Sequence, residues 1–399
     1  MNAGADPRSA PVLPGACIGI VGGGQLGRMA AQAARRLGYR VAVWSDVADA
    51  PALPLADVAV VAPYADPEAL ERFVAAADVA TVEFENLPVA TLCAIEARRP
   101  LRPSAAVVAA TQHRRREKEA LAALDVPLAR WRPVDGADDL DEALAAVGRP
   151  AILKTAGFGY DGKGQVSIPS EGDVPAAARA LAAREPCVLE ARVDLACEVS
   201  VVVARCLDGS MRAFPPFENA HADHVLDVTV VPASVAPETV ARAEALALRV
   251  VAGLGLIGLG CVECFVATDG TVLVNEVAPR PHNSGHVTIE ACRVDQFEQQ
   301  VRAVCGLPLG DPALVRPGAM ANLLGDLWRS GAPDWAAALT VPGVRLHLYG
   351  KREPRSGRKM GHLSAVAATT AEAADLVRTA RARAARCGAA DVPIDAVVG

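Results

Sequence analysis

Along the first hundred residues, short apolar runs alternate with segments whose apolar positions recur at helical spacing. Ala16 to Val21, Arg40 to Trp44 and Val79 to Phe84 read as strands, and Gln25 to Leu37 and Pro67 to Ala76 read as helices. Strand and helix in alternation predict a parallel sheet. A helix over His113 to Leu124 opens a second region whose strands are joined by glycine-rich turns, an α+β pattern running to Cys305. From Leu307 onward come proline-punctuated strands, a basic loop at Lys351 to Lys359 and an alanine-rich helix from Ala371 to Cys387. No repeat or long linker intervenes, so the three regions are expected to pack as one body.

Composition narrows the function classes. The 399 residues are 52% hydrophobic and 22% charged, which excludes a disordered chain. The longest uncharged apolar stretch, Val250 to Val262, is 13 residues with four glycines, short of the roughly 20 that a bilayer span needs. No membrane segment and no signal peptide is read, which makes the cytoplasm the expected location. A net charge of −6 argues against a nucleic-acid partner. Ten cysteines are too dilute for a disulfide scaffold. Cys261 and Cys264 have CxxC spacing, but without a second pair they read as core residues rather than zinc ligands.

Three motifs carry chemistry. Gly22-Gly23-Gly24-Gln25-Leu26-Gly27 fits GxGxxG between a strand and a helix, with Asp46 about 20 residues on, as in a dinucleotide-binding unit. The pattern leaves three readings open: an NAD-dependent dehydrogenase, another phosphorylated ligand, or a tight turn with no ligand. Ile152 to Lys154 and Val166 to Ile168 read as the arms of a hairpin around Gly157 to Gln165. Its GxxxxGK match lacks the Ser or Thr of a P-loop and precedes a strand, so the segment reads as a glycine-rich flap. With Lys154 and Lys163 it is suited to fold over a triphosphate. Finally, Asp269-Gly270 between Gly260–Val266 and Thr271–Val277 signals a two-residue hairpin, and counting back from it sets Glu263 opposite Glu276. Like charges directly opposed across strands are destabilising unless a cation neutralises them. Mg2+ bridging to nucleotide phosphates is the natural candidate.

The flap hairpin, then Glu190-Ala191-Arg192-Val193 leading to Glu198, then Glu263 and Glu276, occur in the order seen in ATP-grasp ligases. Within that superfamily, Gly159 to Gln165, Asn275 to His286 and Arg358-Lys359-Met360-Gly361-His362 resemble the N5-carboxyaminoimidazole ribonucleotide synthetases of purine biosynthesis, as does Gly24 to Met29. The resemblance implies an ATP-grasp fold that combines α/β and α+β parts. These are an N-terminal Rossmann-like parallel-sheet domain (15–112), an ATP-grasp domain with a flap-bearing lid (113–305) and a C-terminal mixed domain (306–399).

It further implies a set of roles. Arg114, Lys118 and Lys154 would contact ATP phosphates under Gly159, Tyr160, Asp161, Gly162, Lys163, Gly164 and Gln165. Glu190 and the Val193 backbone would hold adenine, Glu198 the ribose, and His221 would sit at the nucleotide. Asn275 would lie beside the metal ligands Glu263 and Glu276, while the asparagine that many ATP-grasp enzymes carry two positions later is here Ala278. Arg280, Lys351 and His282 would handle bicarbonate and carboxyphosphate. Arg358, Gln25 and Leu26 would hold the 5′-phosphate of aminoimidazole ribonucleotide, with Glu83, Tyr160, Asp161, Asn283 and Ser284 as further substrate contacts. A homodimer is expected on the same ground. The alternatives are a sister ligase, such as the formate-dependent glycinamide ribonucleotide transformylase, the dehydrogenase, and a catalytically silent ATP-binding regulator.

Overall fold

The computed structural model describes residues 10–157, 164–169 and 174–385. Three sheets organise them. The first joins β1 (Cys17–Val21), β2 (Arg40–Ser45), β3 (Val58–Val61) and β4 (Val79–Val82) in the order β3-β2-β1-β4, all pairs parallel. Every residue of β1 and β4 is buried, as a parallel sheet covered on both faces requires. The helices Gln25–Arg36 and Pro67–Ala76 stand where the apolar spacing predicts them. Asp66 starts the second by accepting the amides of Glu68 and Ala69. Strand β3 is an addition: four residues after a short turn at Leu53–Leu55 carry too little periodicity to read.

A helix from the second region, Gln296–Cys305, closes one face of this first sheet, its Phe297, Val301 and Val304 packing with Ile18, Ile20 and Val41. The opposite face is filled by Trp44, Phe73 and Leu92. The second sheet is antiparallel, in the order β5-β8-β6-β7, from β5 (Trp131–Val134), β6 (Ala151–Thr155), β7 (Gln165–Ile168) and β8 (Cys187–Ala191). Its β6–β7 pair is the flap hairpin, with Lys154 opposite Gln165.

The third sheet holds β9 (Leu195–Arg205), β10 (Met211–Ala213), β11 (Phe217–Ala222), β12 (Val225–Val231), β13 (Gly258–Ala267), β14 (Val272–Ala278), β15 (Gly318–Leu324), β16 (Arg345–Leu348) and β17 (Lys359–Val366). Its order is β14-β13-β9-β11-β12-β15-β17-β16, with β10 flanking β9. Because β15 pairs with β12, the third region of the sequence extends the sheet that carries Glu263 and Glu276. The helix Thr370–Ala384, begun by a capping box of Thr369 and Glu372, covers that extension. The stretch Val250 to Val262 crosses from the end of the helix Pro237–Gly253 into β13, and no described helix is long and apolar enough to cross a membrane.

Where these layers meet, three histidine rings stack. His362 lies 4.8 Å from His286 and 4.4 Å from His347, and its Nδ1 is 2.9 Å from the Tyr349 hydroxyl. His286 and His362 are wholly buried, and burial holds both well below the ordinary histidine pKa. Above about pH 6.5 both rings are neutral whether the chain is folded or not, so they carry no pH-dependent penalty there. Below it the unfolded chain binds protons that the folded chain refuses. These two rings should therefore cost stability as pH falls from about 6.5 to about 5.5, by up to about 1.4 kcal/mol per residue per pH unit. Urea midpoints of the unsubstituted chain and of His362→Gln isolate the effect: the difference between them should shrink as pH falls through that window, and a constant difference would contradict it.

Candidate functional site

The β13–β14 hairpin sets the site, by a route that differs from the sequence reading. The turn is a three-residue loop: Gly270, at φ +83°, donates to the Ala267 carbonyl at 2.9 Å, and Ala267 donates to Thr271 at 2.9 Å. That shifts the register by one from the two-residue turn expected. A β-bulge at Asn275 shifts it back: Cys264 pairs with Val274, and the next pair is Glu263 with Glu276. The two displacements cancel, and the carboxylates face each other as predicted.

Each carboxylate has its own cation. His282 Nε2 is 3.0 Å from Glu263 Oε1, and Arg114 Nη1 donates to Glu276 Oε2 at 3.0 Å. Burial opposes a charge on either His282 or Glu263, yet their attraction draws the histidine pKa up and the glutamate pKa down. A third carboxyl, Glu198, is pushed up to about 7 by burial and by the charges of Glu263 and Glu276. It lies 3.4 Å from His221 Nδ1. Among the described residues no set of three His, Cys, Asp or Glu side chains is arranged to hold a metal alone. Two carboxylates completed by phosphate oxygens and water is the arrangement Mg2+ accepts. Cys261 and Cys264 project into different cores on opposite faces of β13, which rules out a shared zinc ion.

Beside the glutamates lies a buried cluster. Glu190 Oε2 accepts from Lys154 Nζ at 3.1 Å and lies 3.3 Å from Lys118 Nζ. Burial raises the Glu190 pKa, but the two ammonium groups outweigh it and draw it down to about 2. Its Oε1 is buried without a hydrogen-bond partner. Lys118, 2% exposed, also donates to the Asn275 carbonyl at 3.1 Å; it lies beneath the cavity floor rather than on it. Glu117, which the sequence reading missed, accepts the Val277 amide at 2.7 Å and fixes the strand beside Glu276. Burial and Glu276 push its pKa up to about 8.

A cavity of about 1360 Å3 joins these groups. At one end it is lined by Lys154, Gln165, Glu190, Val193, Glu198 and His221, at the centre by Arg114, Glu263, Asn275 and Glu276, and at the other end by Gln25, Glu83, Arg280, His282 and Asn283. Both amide atoms of Asn283 are buried without a hydrogen-bond partner. Gly164 keeps φ +70° against Thr155, while Gly159, Tyr160, Asp161, Gly162 and Lys163 lie outside the described residues.

Several expected contacts are placed differently. The glycine fingerprint holds no outside anion: Glu83 accepts the Gly24 amide at 2.8 Å and the Leu26 amide at 3.2 Å. A Cβ on Gly24 would sit 2.2 Å from Glu83 Oε1, so the glycines make room for this side chain. Glu83 thus occupies two of the amides that a dinucleotide pyrophosphate would need, which argues against the dehydrogenase reading, while Gln25 and Leu26 both line the cavity. Ser284 is wholly buried, 2.8 Å from both Ser200 Oγ and His282 Nδ1, and does not reach the cavity. Arg358 donates to the Glu353 carbonyl and Lys351 to the Lys359 carbonyl, and neither lines the cavity, whereas Lys359 does. Arg280 is held by Glu85 through Nε and Nη2, the latter at 2.9 Å.

This geometry accords with what the chain is similar to. A model of the ribonucleotide synthetase preATP-grasp domain matches residues 16–112, one of the ATP-grasp domain residues 119–297, and one of the phosphoribosylaminoimidazole carboxylase C-terminal domain residues 318–376. The N5-carboxyaminoimidazole ribonucleotide synthase of Bacillus subtilis strain 168 is 42% identical over 353 residues, covering 88% of this chain and 92% of the relative. The chain belongs to the N5-carboxyaminoimidazole ribonucleotide synthase family. The Brucella melitensis member is 43% identical over 355 residues, 88% of this chain and 97% of the relative. Among solved structures, an ADP complex of an N5-carboxyaminoimidazole ribonucleotide synthetase superposes with TM-score 0.88 at 40% identity, covering 93% of this chain and 97% of its own. The Aspergillus clavatus N5-carboxyaminoimidazole synthase, in complex with ADP and 5-aminoimidazole ribonucleotide, superposes at 0.84 with 29% identity over 93% and 99% of the two chains.

The buried cluster yields a stability prediction. Glu190→Gln leaves two ammonium groups without their shared counter-charge, and should lower unfolding free energy by about 3 kcal/mol. Urea denaturation of the purified variant measures it, and a loss under about 1 kcal/mol would mean that the lysines find other partners.

Proposed function

We propose that the chain uses ATP and bicarbonate to carboxylate the 5-amino group of 5-aminoimidazole ribonucleotide, by way of carboxyphosphate. One observation carries the reading: Glu263 and Glu276 meet at the middle of a cavity with a lysine–glutamate cluster at one end and an arginine with an unsatisfied amide at the other.

At the nucleotide end, Glu190 Oε1 is a buried acceptor suited to an adenine amino group, with the Val193 backbone beside it. Glu198 and His221 suit ribose hydroxyls, and Lys154 and Gln165 the phosphates. Glu263 and Glu276 would hold Mg2+, with Asn275 adjacent. The ion would supply charge neutralisation for the transferring phosphoryl group. Arg114, now on Glu276, is within reach of the same phosphates.

In the first step a bicarbonate oxygen bonds to the γ-phosphorus and the bond to ADP breaks. Both reactants are anions, so the protein's task is to hold fixed cations where charge gathers rather than to supply a nucleophile. Arg280, oriented by Glu85, and His282 serve the bicarbonate. In the second step the substrate amine bonds to the carboxyl carbon, phosphate leaves and the amine gives up a proton. Asn283 offers a donor and an acceptor to the ribonucleotide, and Lys359, lining the cavity, takes the 5′-phosphate role that the sequence assigned to Arg358. Free cysteines throughout the described residues fit a reducing cytoplasm.

ADP release should require ATP, bicarbonate and aminoimidazole ribonucleotide together, so assays omitting each in turn test the reading. Dependence on formate instead would assign the chain to the sister chemistry. Glu276→Gln should cut metal-dependent ADP release to below about one hundredth of wild type, more than outer-shell substitutions cost.

A further inference from the structure

Behind His282 a line of buried polar side chains runs away from the cavity into the third sheet. His282 Nδ1 is 2.8 Å from Ser284 Oγ, which is 2.8 Å from Ser200 Oγ. The Asn219 amide donates to Ser200 Oγ at 2.9 Å, and Thr229 donates to Asn219 Oδ1 at 3.0 Å. Ser200, Ser284 and Thr229 are wholly buried and Asn219 is 7% exposed; none of the four lines the cavity. They come from β9, β11, β12 and the turn Ser284–Val287.

We propose that Ser200, Asn219 and Thr229, acting through Ser284, are positioning residues for His282. This rests on the reading of Glu263 and His282 given above. The row is registered to the reacting centre, because Ser200 pairs directly with Glu263 across β9 and β13 and Asn219 pairs with Glu198 across β11 and β9. Buried polar chains of this kind are costly unless every member is satisfied, and an apolar set of similar volume would pack at least as well. Ser200, Asn219, Thr229 and Ser284 are all satisfied, in contrast to the unpartnered atoms of Asn275 and Asn283 nearby. The line ends on the ring nitrogen opposite the one that meets Glu263, so it fixes the ring's plane while leaving Nε2 to the carboxylate. The Ser284 backbone N–H also donates to Nδ1, at 3.4 Å, so two groups of one residue hold the same ring nitrogen. Outer-shell partners of metal ligands typically cost about 10- to 100-fold when removed, and His282 stands in that position on Glu263.

The test uses Thr229→Val, which keeps side-chain shape, alongside Ser200→Ala, with kcat and KM read from ADP release and the ring nitrogens of His282 followed by 15N NMR. The His282 signals are identified by their loss in His282→Gln. We expect each relay variant to lower kcat about tenfold with KM for ATP changed less than about twofold. We also expect it to shift the His282 signals and to add no further loss in the His282→Gln background. Thr229→Ser, which keeps the hydroxyl, should restore the rate and the signals. Unmoved His282 signals, or losses that multiply in the His282→Gln background, overturn the proposal and leave the function standing. Full activity in His282→Gln itself overturns the role given to His282, and the relay with it.

Discussion

Two carboxylates on neighbouring strands, locked opposite one another by backbone hydrogen bonds, cannot move apart to relieve their repulsion. Much of the surrounding structure answers that constraint. Arg114 and His282 bring positive charge to one carboxylate each. Lys118 and Glu117 grip the main chain on either side of Glu276, through the Asn275 carbonyl and the Val277 amide, so the bulged strand cannot slide. A divalent ion between the glutamates would take over the neutralising task and leave the two protein cations facing the nucleotide. Each of the two carboxylates is thus matched by a cation of the protein's own.

The same logic recurs at both ends of the cavity. Two lysines converge on one oxygen of Glu190 and leave the other oxygen unmet. Arg280 is gripped by Glu85 along one edge of its guanidinium, a geometry that fixes the plane of the fork. In each case a protein carboxylate orients the cation, and orientation set before binding is what preorganised electrostatic catalysis requires.

Local patterns were readable and distant partnerships were not. Helix Pro67–Ala76, the flap hairpin arms and the strands β1, β2 and β4 of the first sheet follow from local spacing and turn residues. The pairing of Glu263 with Glu276 also followed, although through two offsets that the count did not see, a longer turn and a bulge, each invisible without backbone geometry. Glu85 and Arg280 are separated by 195 positions, and Glu83 and the Gly24 amide by 59, so no window of sequence joins them. The charge run Lys351 to Lys359 offered five cations with no local cue to which one faces inward; strand β17 decides it for Lys359. The membership of β15, β16 and β17 in the third sheet depends on the β12–β15 pair, about ninety residues apart in sequence, which is likewise beyond a local reading.

The carboxylate seated in the glycine turn has a consequence for how such turns are read. A nucleotide bound there would come and go with its concentration; a side chain of the same chain is always present, so at Gly24 and Leu26 the turn behaves as a rivet. It clips the start of the helix Gln25–Arg36 to the end of β4, and its strength depends on no metabolite pool. Glycines arranged to admit a negative charge therefore do not say whether that charge is a visitor or a resident, and an acidic residue at the tip of a neighbouring strand is the feature to look for before a cofactor is inferred.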